Sequence, residues 1–291
     1  MIHWTGWWPV PKMAAMHMPP SPDAPLLSQP PAGALAQALG LPLFESPWYM
    51  PAYPEYAVGQ WQMRRGGVGL DRGYHSGPCV AADSAVLLRK GAGDRWETWM
   101  SLSPFEIESQ ELACRYAHGH TVVMGLGMGW TTANIALQPT VHKVTVVERD
   151  AEVLELFEQC RVLDGLPASA AQKVGLVQAD ALEWRPAPGT PPVDFLYADI
   201  WLGIAEPRTL PDVQCMQSHV QAREVYFWGQ ELVLGAQARK LVQAGEGLSW
   251  PQALEAAARA TGLPLLQQPA GSHSDFVARV LQLREGTVTT R

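Results

Sequence analysis

The chain has 291 residues, 47% hydrophobic and only 17% charged, with 21 basic and 28 acidic side chains and a net charge of −7. That length suits one large α/β domain with an appendage, and the apolar content excludes a solvated disordered chain. The acidic balance argues against a broad nucleic-acid footprint, so no nucleic-acid partner is expected. There is no 18-residue apolar run and no basic leader before an apolar core, so no membrane span and no signal peptide are expected. Cys79, Cys114, Cys160 and Cys215 stand far apart with no CxxC pair. They fit free thiols in a reducing cytoplasm and supply no zinc site, and no metal is expected.

Residues 1–55 read as an irregular arm rich in Pro and Trp, because proline removes backbone donors and restricts its neighbour. Only Ala32–Leu39 looks helical there. Trp4, Trp7, Trp8, Trp48 and Tyr49 make the arm a candidate aromatic lid. Residues 56–101 read as a small β-rich unit, with strands at 56–58, 59–63 and 85–89 separated by Gly-rich turns. Ser103, Pro104 and Glu106 form a helix start, with an N-cap, a proline at the first position and an acid at the third. The helix is expected to run to about Ala117. Glu106 and Glu108 complement its dipole.

From Thr121, strands and helices alternate. Strands are expected at 122–124, 143–148, 174–178, 193–199 and 224–228, with helices at 130–137, 151–161, 230–244 and 250–260. A terminal hairpin of 263–267 with 275–283 would bring the count to seven. This alternation predicts an α/β fold with a doubly wound, mostly parallel seven-stranded sheet.

The strongest local signal is Gly125-Leu126-Gly127-Met128-Gly129, directly after a strand and before a helix. Such glycines permit a tight turn and close backbone approach to a ligand. The next strand ends in Glu148, placed to accept hydrogen bonds from ribose hydroxyls. The third ends before Asp180, placed for the exocyclic amine of adenine, and the fourth ends in Asp199. The third glycine comes one residue too early for a dinucleotide fingerprint, and there is no P-loop, so a nicotinamide oxidoreductase is disfavoured.

The ordered runs VVMGLGMG, VTVVERD, VGLVQADALEW and VDFLYADIW resemble the successive motifs of class I S-adenosylmethionine-dependent methyltransferases, over about residues 103–285. The resemblance implies a Rossmann-like domain over 102–291 with S-adenosyl-L-methionine as cofactor. It implies that Gly125, Leu126, Gly127 and Gly129 line the methionine and ribose part. Glu148 would hold the ribose hydroxyls, with Arg149 next to it a further cofactor-binding residue, Asp180 with Ala181 would bind the adenine edge, and Asp199 would face the methionine amine or the substrate. Met124 stands where most of the family has an acid. That apolar residue and the β-rich stretch before the domain are similar to the spermidine-synthase-like branch. Aminopropyl transferases, however, carry a second acid where this chain has Leu202. The expected function is methyl transfer to a small molecule or short peptide. The alternatives are an aminopropyl transferase and a non-catalytic nucleoside-binding subunit. A homodimer is the assembly such β extensions suggest.

On the substrate side, Asp199 is the candidate base or amine holder. Trp201 is a candidate stacking or cation–π residue, and Tyr226 and His219 are further catalytic candidates. Trp228 and Glu106 are secondary candidates, and Trp130 is a candidate cofactor rest. His273, Ser274 and Asp275 lie too close in sequence to form a triad.

Overall fold

The computed structural model describes residues 31–245, 247–266 and 271–285. Trp4, Trp7 and Trp8 of the expected lid lie outside these residues. Helix α1 (Ala32–Leu39) packs beside a hairpin of β3 (Gly69–Arg72) and β4 (Pro78–Ala81). A second antiparallel sheet is ordered β1-β2-β5-β6, from β1 (Tyr56–Val58), β2 (Trp61–Arg65), β5 (Ala85–Lys90) and β6 (Trp96–Ser101). A register shift at Leu87/Leu88 marks a bulge in the β5–β6 pair.

Helix α2 (Pro104–Tyr116) follows, and Ser103 Oγ caps it by accepting the Glu106 N–H. The main sheet is wholly parallel, in the order β11-β10-β7-β8-β9. Its strands are β7 (Gly119–Met124), β8 (Val141–Glu148), β9 (Val174–Gln178), β10 (Phe195–Ala198) and β11 (Glu224–Phe227). The first strand, β7, lies in the middle. The next two strands extend to one side and the last two to the other, so the order reverses between β7 and β10. In such sheets ligands bind in the crevice at this reversal, outside the carboxyl ends of the strands.

Alternate residues of each strand point to opposite faces. Val123, Val146, Tyr197 and Tyr226 face α2, α3 (Trp130–Leu137) and α4 (Ala151–Gln159). Val122, Val147, Leu196 and Phe227 face α6 (Thr209–Val220). Helices thus cover both faces, as a doubly wound sheet requires. Helices α7 (Gln230–Gln243), α8 (Trp250–Ala260) and α9 (Ser272–Glu285) close the chain around their own small core. The short α5 (Ala168–Ala171) precedes β9.

Two expectations change. The main sheet has five strands among the described residues, where seven were expected. The expected terminal hairpin is replaced: Leu265 makes a single parallel bridge to Val225, and residues 272–285 are helical. Val277 and Val280, three residues apart, are both fully buried, which one face of a helix achieves and a strand, sending them to opposite faces, does not. No helix among the described residues is long and apolar enough to cross a membrane.

Candidate functional site

The glycine loop leaves β7 at the reversal point. Gly125 has φ +94, and a Cβ there would stand 2.1 Å from the Asp199 carbonyl oxygen, so only glycine lets β7 and β10 end side by side. A Cβ at Gly127 would stand 2.7 Å from Met100 Sδ, which places β6 over the loop. Gly129 is the N-cap of α3. Leu126 and Met128 turn inward and are buried.

Glu148 ends β8 and reaches back to this loop. One carboxylate oxygen accepts the Leu126 N–H at 3.0 Å and the other accepts the Asp150 N–H at 2.8 Å. These bonds fix the carboxylate at the edge and leave lone pairs for hydroxyl donors. Asp150 caps α4 through the Glu152 N–H and also accepts the Trp61 indole N–H at 2.9 Å. Beyond β9, Asp180 accepts the Leu182 N–H, and its other oxygen lies 3.8 Å from the Arg149 guanidinium. Arg149 is 79% exposed. Ala181 is buried against the α6 face. Glu148 and Asp180 therefore stand at the ends of the adjacent strands β8 and β9 on one side of the glycine loop, and Asp199 follows β10 on its other side. That donor and acceptor set fits a nucleoside, with hydroxyl-accepting oxygens on β8 and an amine acceptor on β9.

Asp199 extends β10 on the same face as Tyr197, two residues earlier. Its Oδ2 accepts the Gln110 amide N–H at 3.3 Å and the Tyr197 hydroxyl at 3.5 Å. The same Gln110 nitrogen donates to Glu106 Oε1 at 3.0 Å, and the Thr131 hydroxyl donates to Gln110 Oε1. Glu106 is 5% exposed and Gln110 3%. Burial first, then the Asp199 charge, pushes the Tyr197 phenol well up, so it stays protonated as a donor. Next along the sheet edge, Gln230 opens α7 fully buried, and neither of its amide atoms has a partner among the described residues.

Several expected residues lie elsewhere. Trp201 is packed on the α6 face, the side of the sheet opposite Tyr197, and its indole N–H is bonded to Asp212 at 2.9 Å. His219 sits at the end of α6, which runs back from the carboxyl edge to the start of β11, so it stands at the opposite edge of the sheet. Tyr226 is 1% exposed, stacks on Tyr197 and donates to Glu231 at 3.1 Å. Tyr74 donates to the same carboxyl at 3.1 Å. Burial pushes the Glu231 carboxyl up to about 7, opposed by its backbone bond and the two tyrosines. Tyr226 is thus a buried anchor. Trp130 and Trp48 pack edge to face at 6.4 Å, and Tyr49 exchanges two hydrogen bonds with Asn134, so this segment is fastened to α3 rather than hung over the crevice. Trp228 donates to Ser109 of α2. His273, Ser274 and Asp275 lie in the first turn of α9.

Gln110, Thr131, Tyr197 and Met100 escaped the sequence reading. Two signals were available: Gln110 lies four residues after Glu106 on one helix face, and Tyr197 lies two before Asp199 on one strand face. An open cleft of about 640 Å³, lined by Tyr49, Tyr53, Cys160 and Arg161, lies beyond the end of α4, at the amino edge and away from the glycine loop.

No family model matches the chain, and no curated protein matches it. Solved structures similar to it are methyltransferases. The glycopeptide N-methyltransferase MtfA, complexed with S-adenosyl-L-homocysteine, is 22% identical over 39% of this chain and 41% of its own, with a TM-score of 0.29. The methyltransferase domain of bacterial CtHen1 is 15% identical over 40% and 60%, at 0.32. A Staphylococcus aureus protein described as a caffeoyl-CoA O-methyltransferase is 11% identical over 62% and 71%, at 0.32. The chain spans about half the length of the first two.

Proposed function

We propose that the chain is an S-adenosylmethionine-dependent methyltransferase acting on a small molecule or short peptide. The observation that carries this reading is the convergence of the Gly125–Gly129 loop, Glu148, Asp180 and Asp199 on one carboxyl edge, at the point where strand order reverses. In this reading Glu148 holds the ribose hydroxyls, Asp180 with Ala181 holds the adenine edge, and the glycine loop lies along the methionine part. When bound, S-adenosylmethionine supplies a methyl group already activated on a sulfonium. The protein's own work is then positioning and electrostatics. Asp199, fixed by Gln110 and Tyr197, orients the acceptor and takes its proton if it arrives protonated. Helix α2 and the buried aromatic wall exclude water.

Aminopropyl transfer is disfavoured by Leu202, an apolar side chain 45% exposed where that chemistry needs a second acid.

Calorimetric titration with S-adenosylmethionine, S-adenosylhomocysteine, decarboxylated S-adenosylmethionine and NAD tests the reading. The first two are expected to bind, and Glu148→Ala and Asp180→Ala are each expected to weaken them about tenfold or more, the size of a lost charge-assisted hydrogen bond. Preference for the decarboxylated form would turn the assignment to aminopropyl transfer. Binding of none of the four would overturn it.

A further inference from the structure

We propose that the cleft beyond the end of α4 is a second ligand site, which takes a small organic carboxylate with an apolar body, its carboxylate held by Arg65 and the Tyr53 hydroxyl. The site lies away from the glycine loop and does not rest on the methyltransferase reading.

Three segments make the walls: residues 49–55, Arg65 at the end of β2, and the turn at 160–165 that follows α4. The protein's own bonds hold these walls. Tyr49 is fastened to Asn134 through both its backbone groups. The turn closes through the Asp164 N–H on the Arg161 carbonyl and the Leu166 N–H on the Leu163 carbonyl, both at 3.0 Å. A Cβ at Gly165 would stand 2.1 Å from the Tyr49 hydroxyl oxygen, so only glycine lets that hydroxyl reach the turn. A cleft of about 640 Å³ has the size of a small-molecule pocket.

The floor carries the first unmet group. Tyr53 is 5% exposed and lines the cleft, and its hydroxyl has no hydrogen-bond partner among the described residues. The charges it feels are those of the Tyr49 phenol and the Cys160 thiol, which line the cleft as well. The hydroxyl therefore stands among the cleft's own side chains and not behind them. Burial pushes both the Tyr53 phenol and the Cys160 thiol up, so each keeps its proton. A buried O–H with nothing to donate to is unfavourable, and an acceptor on the floor relieves it.

Arg65 is the second. Strand β2 sends Trp61, Met63 and Arg65 to one face. Trp61 and Met63 are buried in the core, and Arg65, next in that row, reaches the cleft. No acid among the described residues pairs with it. Arg161, by contrast, pairs with Asp164, so those two charges cancel within the turn. Glu55 is exposed at the rim, where water and salt screen it. One carboxylate answers both unmet groups, accepting from a guanidinium and from a phenol. An ammonium would bring donors to a floor that already has them. The rings of Tyr49 and Tyr53, with Pro54 and Val162, receive the apolar body.

The test is calorimetric titration of full-length wild type, Arg65→Gln and Tyr53→Phe with 3-phenylpropanoate, 3-phenylpropanamide and 2-phenylethylammonium. The carboxylate is expected to bind wild type with a Kd of about 1 mM or below, about tenfold more tightly than the amide, and the ammonium not at all. Saturating S-adenosylhomocysteine is expected to change this affinity less than about twofold, since the crevice lies at the other edge of the sheet. Arg65→Gln is expected to weaken carboxylate binding about tenfold and Tyr53→Phe several-fold. The urea midpoints of both variants are expected to stay at or above that of wild type, because Arg65 is exposed and Tyr53→Phe removes an unmet donor. No binding of the carboxylate, equal binding of the amide or the ammonium, or unchanged affinity in either variant would overturn the site. So would displacement by S-adenosylhomocysteine, which would put the carboxylate in the crevice. A lowered midpoint in Tyr53→Phe would show that the hydroxyl is already partnered in the fold and would overturn it too.

Discussion

Helix α2 buries an acid on each of two sides, and the two meet different surroundings. Glu108 turns to the β3–β4 hairpin, where one carboxylate oxygen accepts the backbone N–H of His75 at 2.8 Å and of Ser76 at 2.9 Å. The His75 ring lies 3.6 Å from Glu108 and 3.1 Å from Glu111. Burial would lower the His75 pKa, but the Glu111 hydrogen bond and the charges of both acids outweigh it and raise it. Glu106 turns to the sheet edge and bonds a neutral side chain shared with a strand-end acid. Backbone amides as partners mark Glu108 as a fastener of the hairpin. Sharing Gln110 with Asp199 ties Glu106 to the strand-end acid instead. Both acids sit in one turn of one helix, and only their partners separate them.

The largest expected effect concerns neither acid but Glu231, the buried carboxyl held by Tyr74 and Tyr226 behind α2. Its pKa near 7 lies above the ordinary 4.5, so its stabilising protonated form is fully present below about 4.5 and is lost as pH rises through about 7. Unfolding free energy is expected to fall over that window by roughly 3 kcal/mol, and Glu231→Gln to flatten the curve, as read by urea titration across pH. His75, raised in the folded state, acts in the same direction: its contribution is full below 6.5 and declines above it. A stability curve that rises with pH through this window would show that Glu231 is ionised in the fold.

Next is the direct contrast within α2. Glu108→Ala strips two backbone donors of their acceptor and is expected to cost about 2 kcal/mol of stability without changing S-adenosylhomocysteine affinity. Glu106→Gln keeps a hydrogen-bonding side chain beside Gln110 and is expected to cost less than about 1 kcal/mol of stability. Urea unfolding and calorimetry on the two variants compare them directly, and reversed results would break the distinction.

The smallest effect is expected at Arg149. Its guanidinium is 79% exposed and 3.8 Å from Asp180. Arg149→Ala is expected to change nucleoside affinity less than about threefold, the size of a screened surface pair. A tenfold loss would make Arg149 a direct ligand contact.

The site's frame was legible because its signals are local. A strand, a glycine turn and a helix follow one another at 119–137, and an acid at a strand end needs no knowledge of neighbouring strands to be placed at the carboxyl edge. What each side chain faces was not legible. Trp201 follows directly after a strand end, yet its indole is held by Asp212 on a helix eleven residues on. His219 sits on a helix whose direction follows from parallel pairing, which the local sequence does not state. Residues 275–283 have enough β-branched and apolar side chains to read as a strand, and burial against α7 and α8 made them a helix. The β3–β4 hairpin was missed because its strands are four residues long and hold Gly69, Asp71 and Pro78, which local propensity disfavours.

The small β-sheet touches the crevice at three points: Trp61 on Asp150, the Gln60 N–H on Glu152 at 2.8 Å, and Met100 over Gly127. Trp61 is also packed edge-on to Trp99 at 5.2 Å, with the Arg89 guanidinium over both rings. This gives the molecule an internal optical gauge. An indole whose N–H hangs on the residue two places beyond Glu148 changes its emission when that turn shifts. Occupancy of the crevice is therefore readable from intrinsic tryptophan fluorescence, with Trp61→Phe as the blank.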